Sequence, residues 1–341
     1  MKGLPPKWPM VELHTHLEGA ITPEDAWSSA AELGMKLPWS SLRELDAAIS
    51  LPDRCCSLKE WAPIFDARRG LFSSPELITA MTRKLLARYR GLGCRHVELR
   101  FNPTFIARLA GVPEDEVVQA VAAALEGLQD MSAGLIVLAT RHRGPEEAIQ
   151  AAEAAARNRG RGVVAFDLAG QEIGNPAQNY VEAFDIARRA GLRLTAHAGE
   201  ESGPESIRAA LDVLGAERIG HGLSLEQDPG LLAEVARRQV ALEMCPISNC
   251  RTGVTASVAA HPVIRYLRAG VRVTLNSDDP GLFGTTLRDD WERVEQELAP
   301  SADERRSLVW NSVEAAFLPD AERAVLRARI EQDLAAVAMP P

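Results

Sequence analysis

A chain of 341 residues, of which 46% are hydrophobic and 25% charged, has the composition of a globular protein and is long enough to build a large core. Its formal net charge of −9 and its pI near 5.4 argue against nucleic acid or an anionic membrane as a partner, because both favour a basic surface. The N-terminal stretch MKGLPPKWPM has no apolar core of signal-peptide length, and no apolar run approaches the ~18 residues of a membrane span. The five cysteines are odd in number and lack framework spacing, which predicts free thiols in a cytoplasmic protein.

Eight short apolar segments have the length and composition of buried strands. They cover residues 11–16, 96–103, 134–140, 162–170, 193–199, 217–222, 240–246 and 271–279. Between them lie Ala-, Leu-, Glu- and Arg-rich segments with helical periodicity, such as 113–129 and 145–160. Several of these segments open with Pro and acidic residues and many close on Gly, as helices commonly do.

This alternation, which has no break in composition, predicts an α/β protein with a single (β/α)8 TIM-type barrel over residues 1–341. The barrel core is expected over about 11–290, and further helices over about 290–338. The long excursion after the first strand predicts a helical insertion at about 35–75 that could cover a site. An open doubly wound sheet is the alternative, but no Gly-x-Gly-x-x-Gly follows the first strand. The sequence leaves a homo-oligomer open.

Function in such a barrel is expected at the C-terminal ends of the strands. The polar residues found there are His14, His16, Asp167, His197, Glu200, His221, Asp278 and Asp279. Because side chains alternate along a strand, His14 and His16 point to the same face and can converge on one point. A His-x-His pair alone is weak evidence for a metal site, but His197 and Asp278 add a third imidazole and a carboxylate. These four residues are predicted to bind a metal ion.

The sequence favours one metal ion per chain. Barrel hydrolases with two metals commonly bridge them through a modified lysine at the end of a middle strand, and this chain has no lysine beyond Lys84. Three imidazoles and one carboxylate suit Zn²⁺ better than iron or manganese. Zinc lowers the pKa of bound water to about 7. Glu200 is then placed to act as a general acid, and His221 to hold and deprotonate the attacking water.

Seven segments together resemble the adenosine deaminase family of metal-dependent hydrolases. They read ELHTHLEGA, VELRFNP, VVAFDLAGQE, HAGE, RIGHG, CPISN and NSDDPGLFGT, and they span residues 11 to about 290. The resemblance implies a (β/α)8 barrel that replaces the 6-amino group of a purine by oxygen and releases ammonia. The resemblance implies that zinc is bound by His14, His16, His197 and Asp278. It also implies that Glu200 protonates the purine ring and that His221, together with Asp278, orients and deprotonates the water. Asp279 and the Gly170 backbone would contact the purine.

Glu18 bears on the identity of the purine. Many adenosine-specific members of the family have aspartate at this position, where it contacts a ribose hydroxyl. The longer Glu18 either still reaches a hydroxyl or fills space and favours free adenine. Adenine-specific members tend to read Arg-Ile-Asp-His-Gly, whereas this chain has Gly220. Residues 57–71 resemble the covering helix of the nucleoside type, with Trp61 and Phe65 as apolar contacts.

The substrate expected from these comparisons of motifs is adenosine or 2′-deoxyadenosine, which would be converted to inosine or 2′-deoxyinosine. Free adenine and 6-amino-6-deoxyfutalosine are the alternatives. A barrel hydrolase that cleaves an amide, a lactone or a phosphoester is disfavoured by the absent lysine bridge and by the His-Ala-Gly-Glu segment. A non-catalytic metal-binding barrel predicts the loss of a catalytic group, yet Glu200, His221 and Asp279 are all present.

Two cysteines and three histidines are expected to lie outside the metal site. Cys245 and Cys250 do not have the Pro-Cys-x-x-Cys spacing of the zinc deaminases that edit nucleobases, so buried thiols are expected. His96 precedes its predicted strand, His142 follows the third strand, and His261 stands before a proline as a loop or helix-start residue.

Overall fold

The computed structural model describes residues 4–51, 64 and 67–337. Its strands are β1 (Met10–His16), β2 (Cys94–Phe101), β3 (Ser132–Thr140), β4 (Val163–Ala169), β5 (Arg193–Ala198), β6 (Arg218–His221), β7 (Ala241–Met244) and β8 (Arg272–Leu275). They form one eight-stranded sheet in chain order, and each pair of neighbours is parallel. Each predicted strand is therefore confirmed, with ends that differ by a few residues.

The helices of the first half are α1 (Leu17–Ala20), α2 (Pro23–Glu32), α3 (Leu42–Ile49), α4 (Pro75–Gly91), α5 (Pro103–Ala110), α6 (Glu114–Ala123), α7 (Pro145–Arg157) and α8 (Val181–Arg189). Those of the second half are α9 (Pro204–Asp212), α10 (Pro229–Arg238), α11 (Pro246–Arg251), α12 (Val263–Arg268), α13 (Pro280–Phe283), α14 (Leu287–Leu298), α15 (Ala302–Ala315) and α16 (Asp320–Ala336). Capping boxes begin three of these helices, at Thr22, Thr286 and Ser301. In each, the hydroxyl accepts the backbone N–H of an acidic residue three positions later, and the side chain of that residue accepts the backbone N–H of the capping residue.

The sheet closes into a barrel where the segment after β8 meets β1. Thr15 and Asp278 form a parallel bridge there. The Asp278 N–H donates to the carbonyl of His14, and the His16 N–H donates to the carbonyl of Asp278, each at 2.9 Å. The predicted (β/α)8 barrel is thus confirmed, and its seam passes through three residues proposed from the sequence as metal ligands, His14, His16 and Asp278.

A buried arginine ties the segment between β1 and β2 to the end of β1. Arg68 is 1% exposed, and its guanidinium donates to the carbonyls of Glu18 and Ile49 at 2.7 Å each. It also donates to the carbonyl of Ile21. The chain after α3 is therefore anchored against α1, beside the C-terminal mouth of the barrel.

Two other expectations concern the surroundings of the protein and its thiols. Within residues 4–51, 64 and 67–337, no helix combines the length and the apolar character needed to cross a membrane. Cys94 and Cys245 are buried thiols without a disulfide bond, as expected, whereas Cys250 is only partly buried, unlike the expectation. Cys55 and Cys56 lie outside the described residues.

Ion pairs cross the interior of the barrel. Arg100 on β2 donates to Asp167 of β4 at 2.8 Å and to Glu243 of β7 at 2.6 Å. Arg218 of β6 pairs with Glu243 at 2.6 Å and with Glu98 of β2 at 2.5 Å. All five side chains are at most 2% exposed. The pairs Arg100–Asp167, Arg100–Glu243 and Arg218–Glu98 join strands that are not neighbours, whereas Arg218 and Glu243 lie on the adjacent strands β6 and β7. Three of the four pairs therefore run across the barrel interior.

The C-terminal end of α15 covers the Arg218 side of this network. The Arg218 guanidinium lies 3.6 Å from the ring centroid of Phe317 and donates to the carbonyl of Ala315 at 2.8 Å. The Phe317 N–H donates to Glu98 at 2.5 Å. The residues after α15 thus satisfy charged groups that would otherwise be buried without partners.

Replacing Arg100 by methionine should destabilise the protein strongly. Arg100→Met leaves Asp167 and Glu243 buried with one positive partner fewer, and loss of one member of a buried pair costs about 3–5 kcal/mol. Urea unfolding followed by circular dichroism should show a much lower midpoint. The exposed Arg237→Met is the matched control, and an equal midpoint for the two variants would contradict the prediction.

Candidate metal centre and active site

Three imidazoles and one carboxylate converge at the C-terminal mouth of the barrel. The Nε2 atoms of His16 and His197 lie 3.2 Å apart. Asp278 Oδ1 lies 3.2 Å from His16 Nε2 and 3.4 Å from His14 Nε2. Ligand atoms about 2.1 Å from a tetrahedral zinc ion are separated by roughly 3.4 Å, so these four donors are spaced as zinc ligands are.

An unpartnered nitrogen supports the same fit. His14 Nε2 is buried and makes no hydrogen bond, although a buried polar atom normally has a partner. Its other ring nitrogen, Nδ1, lies 2.8 Å from Glu243 Oε2. This carboxylate–histidine pair leaves the Nε2 lone pair aimed at the centre, which is the usual arrangement of a histidine that binds a metal.

The other donors are oriented by similar contacts. His197 Nδ1 lies 3.2 Å from Asp167 Oδ2, and the Ser248 hydroxyl donates to Asp278 Oδ2 at 2.6 Å. Asp167 and Glu243 both bind Arg100, so one guanidinium fixes the carboxylates behind two of the imidazoles. The residues present therefore fit a zinc ion.

His221 brings a fourth imidazole to the same place. Among the described residues, His14, His197, His221 and Asp278 each offer a ligand atom, and these atoms lie within 4.8 Å of one another. Five donors thus surround a centre at which a tetrahedral ion has four ligand positions. If His14, His197 and Asp278 take three of them, either His16 or His221 takes the fourth. The Nδ1 atom of His221 lies 3.2 Å from Asn249 Nδ2, and its Nε2 lies 3.5 Å from Glu200 Oε2.

Two of these residues adopt backbone conformations that L-residues rarely use. Asp278 has φ = 62° and His221 has φ = 64°, both in the left-handed region. Such conformations cost roughly 1–3 kcal/mol each and persist only where the surroundings hold them. At Asp278 the seam hydrogen bonds to β1 do so, and the strain turns its side chain towards the imidazoles.

The two acidic groups of the site have opposite pKa shifts. Burial favours protonation of Asp278, but its close contacts with the His14 and His16 imidazoles outweigh it and hold the pKa of this carboxyl well below its usual range. Burial, together with the negative charge of Asp278, raises the pKa of Glu200 well above its usual range. This shift favours the protonated form of Glu200, which is the form that a general acid needs.

Glu172 holds the loop that carries Glu200. Its carboxylate accepts the backbone N–H groups of Gly199, Glu200 and Glu201 at 2.9, 2.8 and 3.0 Å, and also the hydroxyl of Ser206. The sequence motif FDLAGQE contains this residue, but nothing local shows that its partners lie about 30 residues further along. Glu172 was therefore missed as a functional residue, as were Glu243, Ser248 and Asn249.

Two further carboxyls that the sequence predicts to bind substrate, Glu18 and Asp279, are buried. Glu18 Oε1 accepts the Asn102 N–H at 2.8 Å, while its Oε2 is buried without a hydrogen-bond partner. Asp279 Oδ1 is also buried and unpartnered, and it packs so closely on Gly19 that a Cβ there would lie 1.6 Å away. Burial and the charge of Asp278 raise the pKa of Asp279 to about 7.

Of the remaining residues predicted to bind substrate, the structure describes only Gly170. Gly170 has φ = 82°, and a Cβ on it would lie 2.7 Å from the Thr140 methyl, so only glycine fits at this end of β4. Trp61 and Phe65 lie outside the described residues. His96 lies within β2 instead of before it and is fully buried.

Comparison with known proteins agrees with this site. The family model for adenosine deaminase matches residues 9–333. An adenine deaminase from Cupriavidus metallidurans is 37% identical, covering 98% of this chain and 94% of the relative. An adenosine deaminase from Shewanella loihica is 34% identical, covering 94% of this chain and 97% of the relative.

Solved structures give the same result. The crystal structure of an adenine deaminase from Arthrobacter aurescens is 31% identical, with a TM-score of 0.85, and the match covers 97% of this chain and 100% of the other. An amidohydrolase from Burkholderia ambifaria with bound Zn is 25% identical, with a TM-score of 0.84 and coverage of 97% and 93%. The chain therefore belongs to the adenosine deaminase family of metal-dependent hydrolases, whose members deaminate purines by hydrolysis.

Proposed function

We propose that this protein is a zinc-dependent adenine deaminase, which converts free adenine and water to hypoxanthine and ammonia. The observation that carries the choice of the free base is Glu18. Its carboxylate is 4% exposed, held by the Asn102 N–H, and left with one oxygen that lacks a donor. The adenine deaminases from C. metallidurans and A. aurescens, at 37% and 31% identity, support the same choice.

The hydrogen atoms of the purine explain why Glu18 favours the free base. Free adenine carries one N–H on its imidazole ring, whereas in a nucleoside that nitrogen is bonded to the sugar. A buried carboxylate oxygen without a donor is costly, and the ring N–H would satisfy Oε2 of Glu18. Asp279, whose pKa is about 7, is partly protonated at neutral pH and can donate to the imidazole nitrogen that carries no hydrogen.

The expectation of adenosine or 2′-deoxyadenosine is not confirmed. That expectation relied partly on Gly220, because adenine-specific members tend to have aspartate at this position. In the structure, a Cβ on Gly220 would lie 2.9 Å from His14 Cε1 and 3.2 Å from His197 Cγ. Close packing against two imidazoles therefore accounts for this glycine without reference to a sugar.

The proposed roles of the remaining residues follow from the geometry. His14, His16, His197 and Asp278 hold zinc, which when bound supplies Lewis acidity and lowers the pKa of water. Protonated Glu200 donates to the purine ring nitrogen next to C6, so that the ring can accept electrons as oxygen adds. His221 holds the attacking oxygen, while Glu18, Asp279 and the Gly170 backbone contact the purine. The presence of Glu200 and His221 argues against a non-catalytic metal-binding barrel.

Substrate and metal can be tested together. Purified protein should contain about one zinc ion per chain by elemental analysis. Ammonia release should then be measured with adenine, adenosine, 2′-deoxyadenosine and 6-amino-6-deoxyfutalosine. We expect kcat/KM for adenine to exceed that for adenosine by roughly 100-fold or more, because the unpaired Glu18 oxygen penalises a substrate without the N–H. A preference for either nucleoside or for the futalosine would overturn the proposal.

Shortening Glu18 should change the selectivity. Glu18→Asp withdraws the carboxylate from the purine, so kcat/KM for adenine should fall by roughly 10- to 100-fold. The ratio of adenosine to adenine turnover should rise, since space is opened where a sugar would lie. The exposed Glu24→Asp is the control for loss of one methylene group. An unchanged ratio in Glu18→Asp would show that another residue selects the substrate.

Removing the Glu172 carboxylate should impair catalysis without removing the metal. Glu172→Ala frees three backbone N–H groups of the acid loop, and displacement of a catalytic group by about 1 Å can cost roughly 100-fold in rate. Zinc content should stay unchanged, because His197 is oriented separately by Asp167. Glu201→Ala, in the same loop and exposed, is the control. Full activity of Glu172→Ala would refute this role.

A further inference from the structure

A chain of hydrogen bonds leads from a backbone amide to both proposed catalytic side chains. The Val263 N–H donates to His261 Nδ1 at 3.3 Å. His261 Nε2 lies 3.1 Å from Asn249 Oδ1. Asn249 Nδ2 lies 3.1 Å from Glu200 Oε1 and 3.2 Å from His221 Nδ1. Asn249 and His261 are both fully buried, so water does not compete for these contacts.

The direction of every bond in this chain follows from its first member. A backbone N–H can only donate, so His261 Nδ1 must accept and the ring hydrogen lies on Nε2. Burial, together with the positive charge of Arg265, lowers the pKa of His261 to about 3, which keeps this ring neutral. His261 Nε2–H then donates to Asn249, and the atom that it meets must be the amide oxygen.

The orientation of the Asn249 amide is therefore determined, and its NH₂ group faces the active site. Its two hydrogens match two acceptors, Glu200 Oε1 and His221 Nδ1. A neutral imidazole that accepts at Nδ1 carries its hydrogen on Nε2. A protonated carboxyl that accepts at Oε1 carries its hydrogen on Oε2.

We propose that Asn249 and His261 are positioning residues that fix His221 in the tautomer with hydrogen on Nε2 and place the acid proton of Glu200 on Oε2. These are the two atoms that lie 3.5 Å apart at the mouth of the site. The hydrogen-bond chain alone carries this assignment, and it holds whatever the substrate is.

The tautomer has a consequence for the metal. An imidazole nitrogen that carries hydrogen has no lone pair for a metal ion, so His221 is excluded as a ligand. Of the five donors at the site, His14, His16, His197 and Asp278 therefore remain as metal ligands. A histidine that binds a metal normally donates its other N–H, as His14 can to Glu243, whereas His221 Nδ1 accepts.

The tautomer also has a consequence for the reaction, which rests on the proposed function. In the resting enzyme His221 holds the attacking oxygen as a hydrogen-bond donor, because Nε2 already carries its hydrogen. The first proton from water is thus not taken by His221. This differs from the role in deprotonation that the family resemblance implies for this residue.

Nitrogen-15 NMR of histidine-labelled, zinc-loaded protein tests the assignment without any substrate. Protonated, unprotonated and metal-bound ring nitrogens have distinct chemical shifts, and a His221→Asn sample identifies the resonances of His221. We expect His221 to show a protonated Nε2 and an unprotonated Nδ1, and His261 to show the same pattern. A metal-bound or unprotonated Nε2 on His221 would overturn the proposal, whereas failure of the adenine assay would leave it standing.

Variants of the two positioning residues test the direction of the chain. Asn249→Asp presents only acceptors to His221, so its hydrogen should move to Nδ1. His261→Phe removes the donor that orients Asn249 and should give a mixture of His221 tautomers. It should also lower kcat by about tenfold, equivalent to about 1.4 kcal/mol, with KM and zinc content unchanged. His261→Gln supplies an N–H again and should restore the tautomer at least in part.

A matched control separates this role from simple loss of a buried histidine. His96 is also fully buried, but it contacts Ser132 of β3 and Glu98 of β2 instead of Asn249. His96→Phe should leave the His221 resonances in place even if it lowers the melting temperature. If His261→Phe also leaves them in place, or if Asn249→Asp leaves the hydrogen on Nε2, then His261 and Asn249 do not set the tautomer.

Discussion

The ion pairs of Arg100 connect the fold of this protein to its chemistry. Asp167 and Glu243 could not remain charged in the barrel interior without a positive partner, and Arg100 binds both. The same two carboxylates meet the Nδ1 atoms of His197 and His14. One guanidinium therefore stabilises the two buried carboxylates that orient the imidazoles of His197 and His14. The proposed metal centre consequently lies on a layer of charged side chains instead of aliphatic ones.

Above this layer the site is held by carboxylates and amides from neighbouring strand ends. Glu172 binds the loop of Glu200, while Asn249 contacts both Glu200 and His221. None of these contacts involves a flexible surface side chain, since Glu172 is 6% exposed and Asn249 is fully buried. Glu200 and the proposed metal ligands are consequently held in place by buried contacts, as a preorganised site requires.

The strands and the residues at their ends could be predicted from the sequence because both follow from local patterns. Apolar runs mark the strands, and the alternation of side chains places His14 beside His16. Glu243 could not be assigned in this way, since its partner His14 lies 229 positions away. The substrate was also beyond local reasoning: Gly220 was interpreted through a motif, although its reason is the packing of two rings. His261 looked like a loop residue because its partner Asn249 is recognised only once the barrel has closed.

The contact that closes the barrel also determines when the proposed metal site is complete during folding. Asp278 bonds to β1 through its backbone and meets the imidazoles of β1 through its side chain, so the peptide that completes the cylinder also completes the donor set. Thr15 and Asp278, which meet at this closure, lie 263 positions apart along the chain. A partial chain that ends before Asp278 lacks one of the four proposed ligands, so it would not hold a metal ion as the finished protein would. A metal ion bound by these residues would therefore join the first strand to the segment that follows the last one.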